Sequence, residues 1–288
     1  MIHETVHLTQ EELDSLIALL TQYTGIIPRS SHLEGIKNYI EKKLNEKCIS
    51  VPEYKTKLIA DKGLFSELIN ESTVNETYFF REEKQFLLLR DRIFPMWKAT
   101  AGSMPVKIWS AACSYGEEAY SLALLAKNCG VNAMITASDI NSQVLENCKA
   151  GVFKDSSIRS VDGSSFKNLL LPYKKDGKIQ FDLEIKSCIT TKEINLSKID
   201  DMQTEAQLPR NQNIVFLRNV FIYFSQNLRL KILNIIAEKC LANGGVLFVS
   251  MNETAQINFS EISPLLEKVM DGSIFYFKKK SREVKANG

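Results

Sequence analysis

The sequence predicts an α/β protein, an open sheet of mostly parallel strands preceded by a small helical unit and carrying a small antiparallel insertion. Three observations support this. Val106 to Ala112 is an apolar run of strand length, Cys113 to Gly116 forms a tight turn, and from Glu117 onward Tyr120, Leu124 and Leu125 recur at helical spacing. Residues 131–139 repeat the pattern, a second strand ending in Asp139 ahead of a helix carrying Val144, Leu145 and Cys148. The chain before residue 73 shows only helical periodicity. In an open α/β sheet, strand–turn–helix junctions sit at the carboxyl ends of strands, where ligands bind.

In chain order, Thr9 and Glu12 form a capping box ahead of the stripe Leu13, Leu16, Ile17 and Leu20, and Gly25 marks the stop. Ser31 and Glu34 predict a second capping box before Leu33, Ile36, Ile40 and Leu44. Two short helices are expected over about 52–60 and 64–70. Lys37, Lys42, Lys43 and Lys47 lie on the second helix, and Lys43 and Lys47 extend its apolar stripe. Either their stems cover the edge of the core, or they form a basic face for an acidic partner.

Residues 75–81, N-E-T-Y-F-F-R, have no helical stripe. They read as a linker packed on the next unit, or as a segment anchored by Phe79 and Phe80 whose polar Asn75, Thr77 and Arg81 face a ligand. A helix is predicted from Glu83 to Trp97, with Phe86, Leu89, Arg90 and Ile93 in register.

The stretch from Gly151 to Ile194 differs in character. Lys174-Lys175-Asp176-Gly177-Lys178 predicts a hairpin with Asp-Gly at its turn, and Ser187 to Lys192 is expected to complete this antiparallel insertion. Then come a strand over 213–217 leading into Arg218-Asn219, a helix over 225–241, a strand over 246–250 and a final hairpin over 265–278. The tail K-K-K-S-R-E-V-K is expected to be solvated or disordered. The expected domains are therefore 1–72, helical; 73–97, linker and connecting helix; and 98–288, the sheet domain with its insertion at about 151–192.

Of 288 residues, 44% are hydrophobic and 24% charged, ordinary values for a globular protein able to bury a large core. A net charge of +2 with interspersed signs gives no nucleic-acid footprint. The six cysteines form no C-x-x-C pair, no metal site is suggested, and neither a signal peptide nor a membrane helix is present, so a cytoplasmic protein is expected. All three histidines precede residue 33, which disfavours Ser-His or Cys-His chemistry in the sheet domain.

The junction at Gly116 distinguishes among cofactors. A pyrophosphate wants several glycines and no anion at a helix start, whereas this turn has one glycine followed by Glu117 and Glu118. These acids attract a cation. Asp139 lies about twenty residues beyond the turn, the spacing at which an acid receives ribose hydroxyls, a role compatible with capping the next helix. A positively charged nucleoside such as S-adenosylmethionine fits, its carboxylate within the capacity of Arg81.

The ordered set N-E-T-Y-F-F-R, W-S-A-A-C-S-Y-G-E-E-A-Y-S, S-D-I-N, N-L, L-R-N-V-F-I-Y-F and L-A-N-G-G-V-L-F spans residues 75–250 and resembles the chemotaxis receptor methyltransferases of the CheR family. The helical N-terminal unit also resembles theirs. The resemblance implies a Rossmann-like S-adenosylmethionine-dependent methyltransferase fold and glutamate O-methylation on the cytoplasmic helical bundle of methyl-accepting chemotaxis proteins. It implies cofactor contacts at Asn75, Thr77, Arg81, Glu117, Asp139, Asn195, Leu196, Arg218 and Asn219, with Arg81 and Tyr223 nearest the transferring methyl. The lysines at 37, 42, 43 and 47 become candidates for receptor binding. A monomer is expected, with no nucleic-acid partner and no membrane insertion.

The chain departs from the family pattern at Ala112, where glycine is usual, and at Tyr115, Ala119 and Leu217; M-N-E-T replaces a run ending in Ser-Glu. The insertion resembles the family's β-subdomain, but its single Gly177 replaces the longer glycine-rich loop of members that grip a receptor tail, so no dependence on such a tail is expected. The competing functions are a catalytically silent adaptor that binds S-adenosylmethionine and a methyltransferase acting on another acceptor.

Overall fold

The computed structural model describes residues 6–102, 104–158 and 164–281. Four helices come first, α1 (Gln10–Thr24), α2 (Ser30–Lys47), α3 (Val51–Ala60) and α4 (Lys62–Ser72). The capping box of α1 forms as expected, with the Thr9 N–H donating to Glu12 Oε2 at 2.9 Å and the Glu12 N–H to Thr9 Oγ1 at 3.2 Å. The second box does not form. Helix α2 begins at Ser30, which places Ser31 inside its first turn and leaves Arg29 at the cap without a side-chain hydrogen bond. The Ser31 hydroxyl instead meets His32 Nδ1 at 3.2 Å. Leu16, Leu20, Ile40, Leu44, Tyr54 and Leu68 are almost fully buried in a core of these helices' own.

Helix α5 (Glu83–Leu88) continues through a π-helical turn at Leu89–Ile93 into α6 (Phe94–Ala101), with Phe86, Leu89 and Ile93 buried. The alternation then becomes strand and helix: β1 (Val106–Ala111), α7 (Glu117–Asn128), β2 (Ala133–Asp139) and α8 (Ser142–Ala150). A three-stranded sheet follows, built from β3 (Val152–Lys154), β4 (Lys174–Lys175) and β5 (Lys178–Gln180) in the order β3-β5-β4, with α9 (Lys167–Leu170) between its first two strands. Its Asp176-Gly177 turn has φ of 50° and 70°, the left-handed pair that a two-residue hairpin requires.

The remaining elements are α10 (Leu183–Ser187), β6 (Ile189–Glu193), α11 (Met202–Gln207), β7 (Gln212–Leu217), α12 (Gln226–Ile235), β8 (Leu241–Val249), β9 (Leu266–Asp271) and β10 (Ile274–Lys279). The main sheet has the order β6-β2-β1-β7-β8-β10-β9, parallel from β6 to β8 and antiparallel thereafter. This corrects the expectation that Ser187 to Lys192 completes the insertion. Strand β6 instead pairs in parallel with β2, from Ile135 opposite Ile189 to Asp139 opposite Glu193. As an edge strand it leaves most of its residues in water, so its sequence resembles a hairpin arm.

The tail is corrected in part. Lys278 and Lys279 belong to β10, and Lys279 is buried with its ammonium donating to Leu241 O at 2.9 Å; Arg282 to Lys285 lie outside the described residues. Separate hydrophobic cores cover the two faces of the sheet, one around Phe86, Leu125 and Phe216, the other around Trp109, Leu217 and Leu247. Strand β1 lies between β2 and β7, so the winding direction reverses there and opens a crevice at the carboxyl ends.

Candidate active site

The crevice is a cleft open to solvent, lined by residues from the ends of β1, β2, β6 and β7. After β1 the backbone is left-handed at Ala112 (φ 57°), Ser114 (φ 52°) and Gly116 (φ 104°). Only glycine suits the last of these, because a Cβ there would lie 2.5 Å from Cys148 Sγ. Asp139 holds the turn in place. Its Oδ2 accepts the Ser114 N–H and its Oδ1 the Asn141 N–H, each at 2.9 Å. Asn141, and not Asp139, caps α8, with Oδ1 accepting from Gln143 and Val144. Burial raises the Asp139 carboxyl above its ordinary range, against the pull of three backbone N–H groups.

The adjacent acids diverge. Glu118 lines the cleft, accepts the Ser110 hydroxyl at 2.6 Å and is ion-paired with Arg218 at 2.8 Å. Glu117 turns the other way, into a second cavity that shares Asn75, Glu76 and Thr77 with the cleft. Its Oε1 accepts the Ser157 hydroxyl at 2.8 Å, while Oε2 is buried without a hydrogen-bond partner among the described residues. Burial raises this carboxyl. A buried, unpartnered carboxylate oxygen is a receptor for a cation.

Asn75, Thr77 and Arg81 line the cleft, while Phe79 and Phe80 anchor their segment in the core. Phe80 stacks on Phe166 with ring centroids 4.5 Å apart, and its N–H donates to Ser121 Oγ at 2.9 Å. Arg81 donates to Glu76 O at 2.7 Å and lies over the Tyr78 ring. Asn195 and Leu196 line the wall beyond β6, Asn195 already bonded to Ser197 and to Tyr23 O at 2.8 Å. Arg218, Asn219 and Tyr223 line the opposite wall after β7. Burial raises the Tyr223 phenol, partly offset by Arg29 and Arg81.

Nine of the ten residues expected at the site, from Asn75 to Tyr223, therefore share one cleft, and Glu117 stands in the neighbouring cavity. The four lysines lie elsewhere. Lys43 bonds Glu67 at 2.8 Å, Lys37 and Lys42 face Glu41 and Glu46 one turn on, and Lys42 and Lys47 are exposed.

Two contributors were missed. Glu253 is buried, and its carboxylate accepts the N–H groups of Asn219 at 2.9 Å and Ile222 at 3.3 Å. The acid in M-N-E-T was the available signal. The end of α1, the loop after it and the first turn of α2 bring Thr24, Ile26, Pro28, Arg29 and His32 to the cleft, with no local signal in the sequence. The donor set fits a positively charged nucleoside: three backbone N–H groups act on the Asp139 carboxylate, whose two oxygens offer about four lone-pair sites, leaving room for a hydroxyl, and Glu117 keeps an oxygen without a partner among the described residues.

Residues 75–267 match the family model described as CheR methyltransferase, SAM binding domain. The Chemotaxis protein methyltransferase of Vibrio anguillarum is 32% identical over 193 residues, covering 65% of this chain and 67% of that protein. Chemotaxis protein methyltransferase 2 of Vibrio cholerae is 32% identical over 229 residues, covering 77% and 76%. The Chemotaxis protein methyltransferase of Borreliella burgdorferi is 28% identical over 265 residues, covering 88% and 91%. The chain belongs to the CheR methyltransferase family, and its residues 75–267 are that family's S-adenosylmethionine-binding domain.

Proposed function

We propose that this enzyme methylates glutamate side chains on the cytoplasmic helical bundle of bacterial chemoreceptors, producing glutamate methyl esters in chemotactic adaptation. The observation that carries this reading is that one cleft holds the Asp139 carboxylate after β2, unpaired by any cation among the described residues, and, elsewhere on its lining, Arg29 and Arg81 close enough to Tyr223 to act on its phenol. The first suits a cationic cofactor and the second an anionic acceptor.

When bound, S-adenosylmethionine supplies a methyl group on a sulfonium, and the electron pair of the broken C–S bond stays with sulfur. Asp139 would hold ribose hydroxyls, Glu117 the ammonium, and Asn75, Thr77, Asn195, Leu196, Arg218 and Asn219 the remainder. The acceptor carboxylate is ionised at neutral pH and brings the electron pair of the new C–O bond, so the chain needs no general base. Arg81 and Tyr223 orient that carboxylate beside the methyl.

Incubation with methyl-labelled cofactor and receptor-rich membranes should give base-labile label mapped to receptor glutamates; cofactor binding with no label in receptor would overturn the reading. With a two-residue turn at Asp176-Gly177, the small sheet is not expected to grip a receptor C-terminal pentapeptide, and measurable binding of that peptide would refute this.

A further inference from the structure

Helix α1 ends at Gly25, where φ is 68° and a Cβ would lie 2.5 Å from Leu228 Cδ2 and 2.7 Å from Ser197 Cβ. The loop that follows is fixed to both sides of the cleft. Tyr23 O accepts hydrogen bonds from Asn195 Nδ2 at 2.8 Å and Ser197 Oγ at 3.0 Å, and the Ile27 N–H donates to Tyr223 O at 2.9 Å. The loop thereby delivers Arg29, whose guanidinium lies over the Tyr223 ring, 5.5 Å from its centroid.

Apart from this contact with the Tyr223 ring, no capping bond or ion pair accounts for Arg29 among the described residues. It occupies the cap of α2 without a capping hydrogen bond, at the helix end that disfavours a cation. Among the described residues no carboxylate lies within ion-pair distance of it, whereas Arg90, Arg92, Arg210 and Arg218 are all ion-paired. It is exposed at the cleft mouth, beside the one phenol that lines the cleft.

We propose that Arg29 is a substrate-positioning residue that receives the acceptor carboxylate at the cleft mouth, so the α1–α2 loop forms part of the acceptor site. The assignment rests on the reading of a protein glutamate as methyl acceptor. It adds selectivity. A carboxylate pairs with the guanidinium, the neutral methyl ester formed from it does not, and a glutamine at the acceptor position is likewise refused.

The test uses the full-length enzyme and the soluble cytoplasmic fragment of a methyl-accepting chemoreceptor, with glutamate or glutamine at the acceptor positions. Arg29→Ala should raise KM for the glutamate form about tenfold with kcat changed less than about threefold, and Arg29→Lys should recover part of the loss. The preference of the wild-type enzyme for binding the glutamate form should collapse in Arg29→Ala, while the Kd for S-adenosylhomocysteine stays within about twofold. If the wild-type enzyme leaves the glutamate form unmethylated, the acceptor reading falls and this assignment with it. If the wild-type enzyme methylates it and Arg29→Ala keeps both its KM and its glutamate preference, this assignment alone falls.

Discussion

The Arg218 guanidinium and the Glu118 carboxylate meet at 2.8 Å, with 2% and 11% of their side chains exposed, joining the end of β7 to the start of α7. The same guanidinium donates to Arg81 O at 2.7 Å and Gln85 Oε1 at 3.0 Å. Three segments of the cleft wall therefore converge on one buried ion pair.

Removing one partner leaves the other charge buried and unpaired, a loss of about 3–5 kcal/mol. Arg218→Ala should lower Tm by on the order of 10 °C in calorimetry. The double change Arg218→Met with Glu118→Leu should recover most of that stability but not cofactor binding, because burying matched apolar side chains replaces the pair's packing and not its polarity.

Glu117 has the reverse effect. Its charge is desolvated and one oxygen is unpartnered, so Glu117→Gln should stabilise the ligand-free protein, by about 1–3 kcal/mol, and weaken cofactor binding. The folded carboxyl lies above its ordinary value, so the penalty is complete at pH above the folded pKa and fades as pH falls towards about 4.3. The Tm advantage of Glu117→Gln should accordingly be largest near neutrality and shrink in acid.

Tyr223→Phe removes one hydroxyl beside the proposed acceptor and should lower kcat about fivefold, the effect of one hydrogen bond near 1 kcal/mol. Arg81→Ala should lower kcat and raise KM together. Turnover unchanged in both variants, with cofactor binding intact, would remove these two residues from the mechanism.

The α2 lysines separate by environment. Lys42→Glu with Lys47→Glu changes exposed charges and should raise KM for receptor several-fold at low salt, with the difference vanishing at high salt. Lys43→Glu should instead lower Tm, because Lys43 joins α2 to Glu67 of α4 at 2.8 Å.

Ala112 sits at φ 57°, where an alanine carries about 1–2 kcal/mol of strain and a glycine none. Offset by about 0.5–1 kcal/mol of added chain entropy, Ala112→Gly should raise Tm by roughly 1–3 °C in calorimetry.

The elements with a regular period were legible in the sequence, because Leu13 to Leu20 or Val106 to Ala111 reveal their buried faces within a few residues. Strand β6 was misplaced because Ile189–Glu193 is an edge strand whose partner, β2, lies fifty residues back. The turn at Gly116 announced a cationic ligand through its two acids. It could not say which acid faces the cleft, since adjacent helical residues point about 100° apart and packing against Ser157 or Arg218 decides it. The contacts of Tyr23 and Ile27 with Asn195 and Tyr223 bridge almost two hundred residues and leave no local pattern.

The stretch Gly25–Arg29 lies outside residues 75–267, the family's S-adenosylmethionine-binding domain. On the proposed reading, one part of the acceptor site, Arg29, is thus written outside the passage that holds the methyl donor. If Arg29 receives the acceptor, changes in the short connector between α1 and α2 should alter the choice of client and leave the residues that hold the methyl donor untouched.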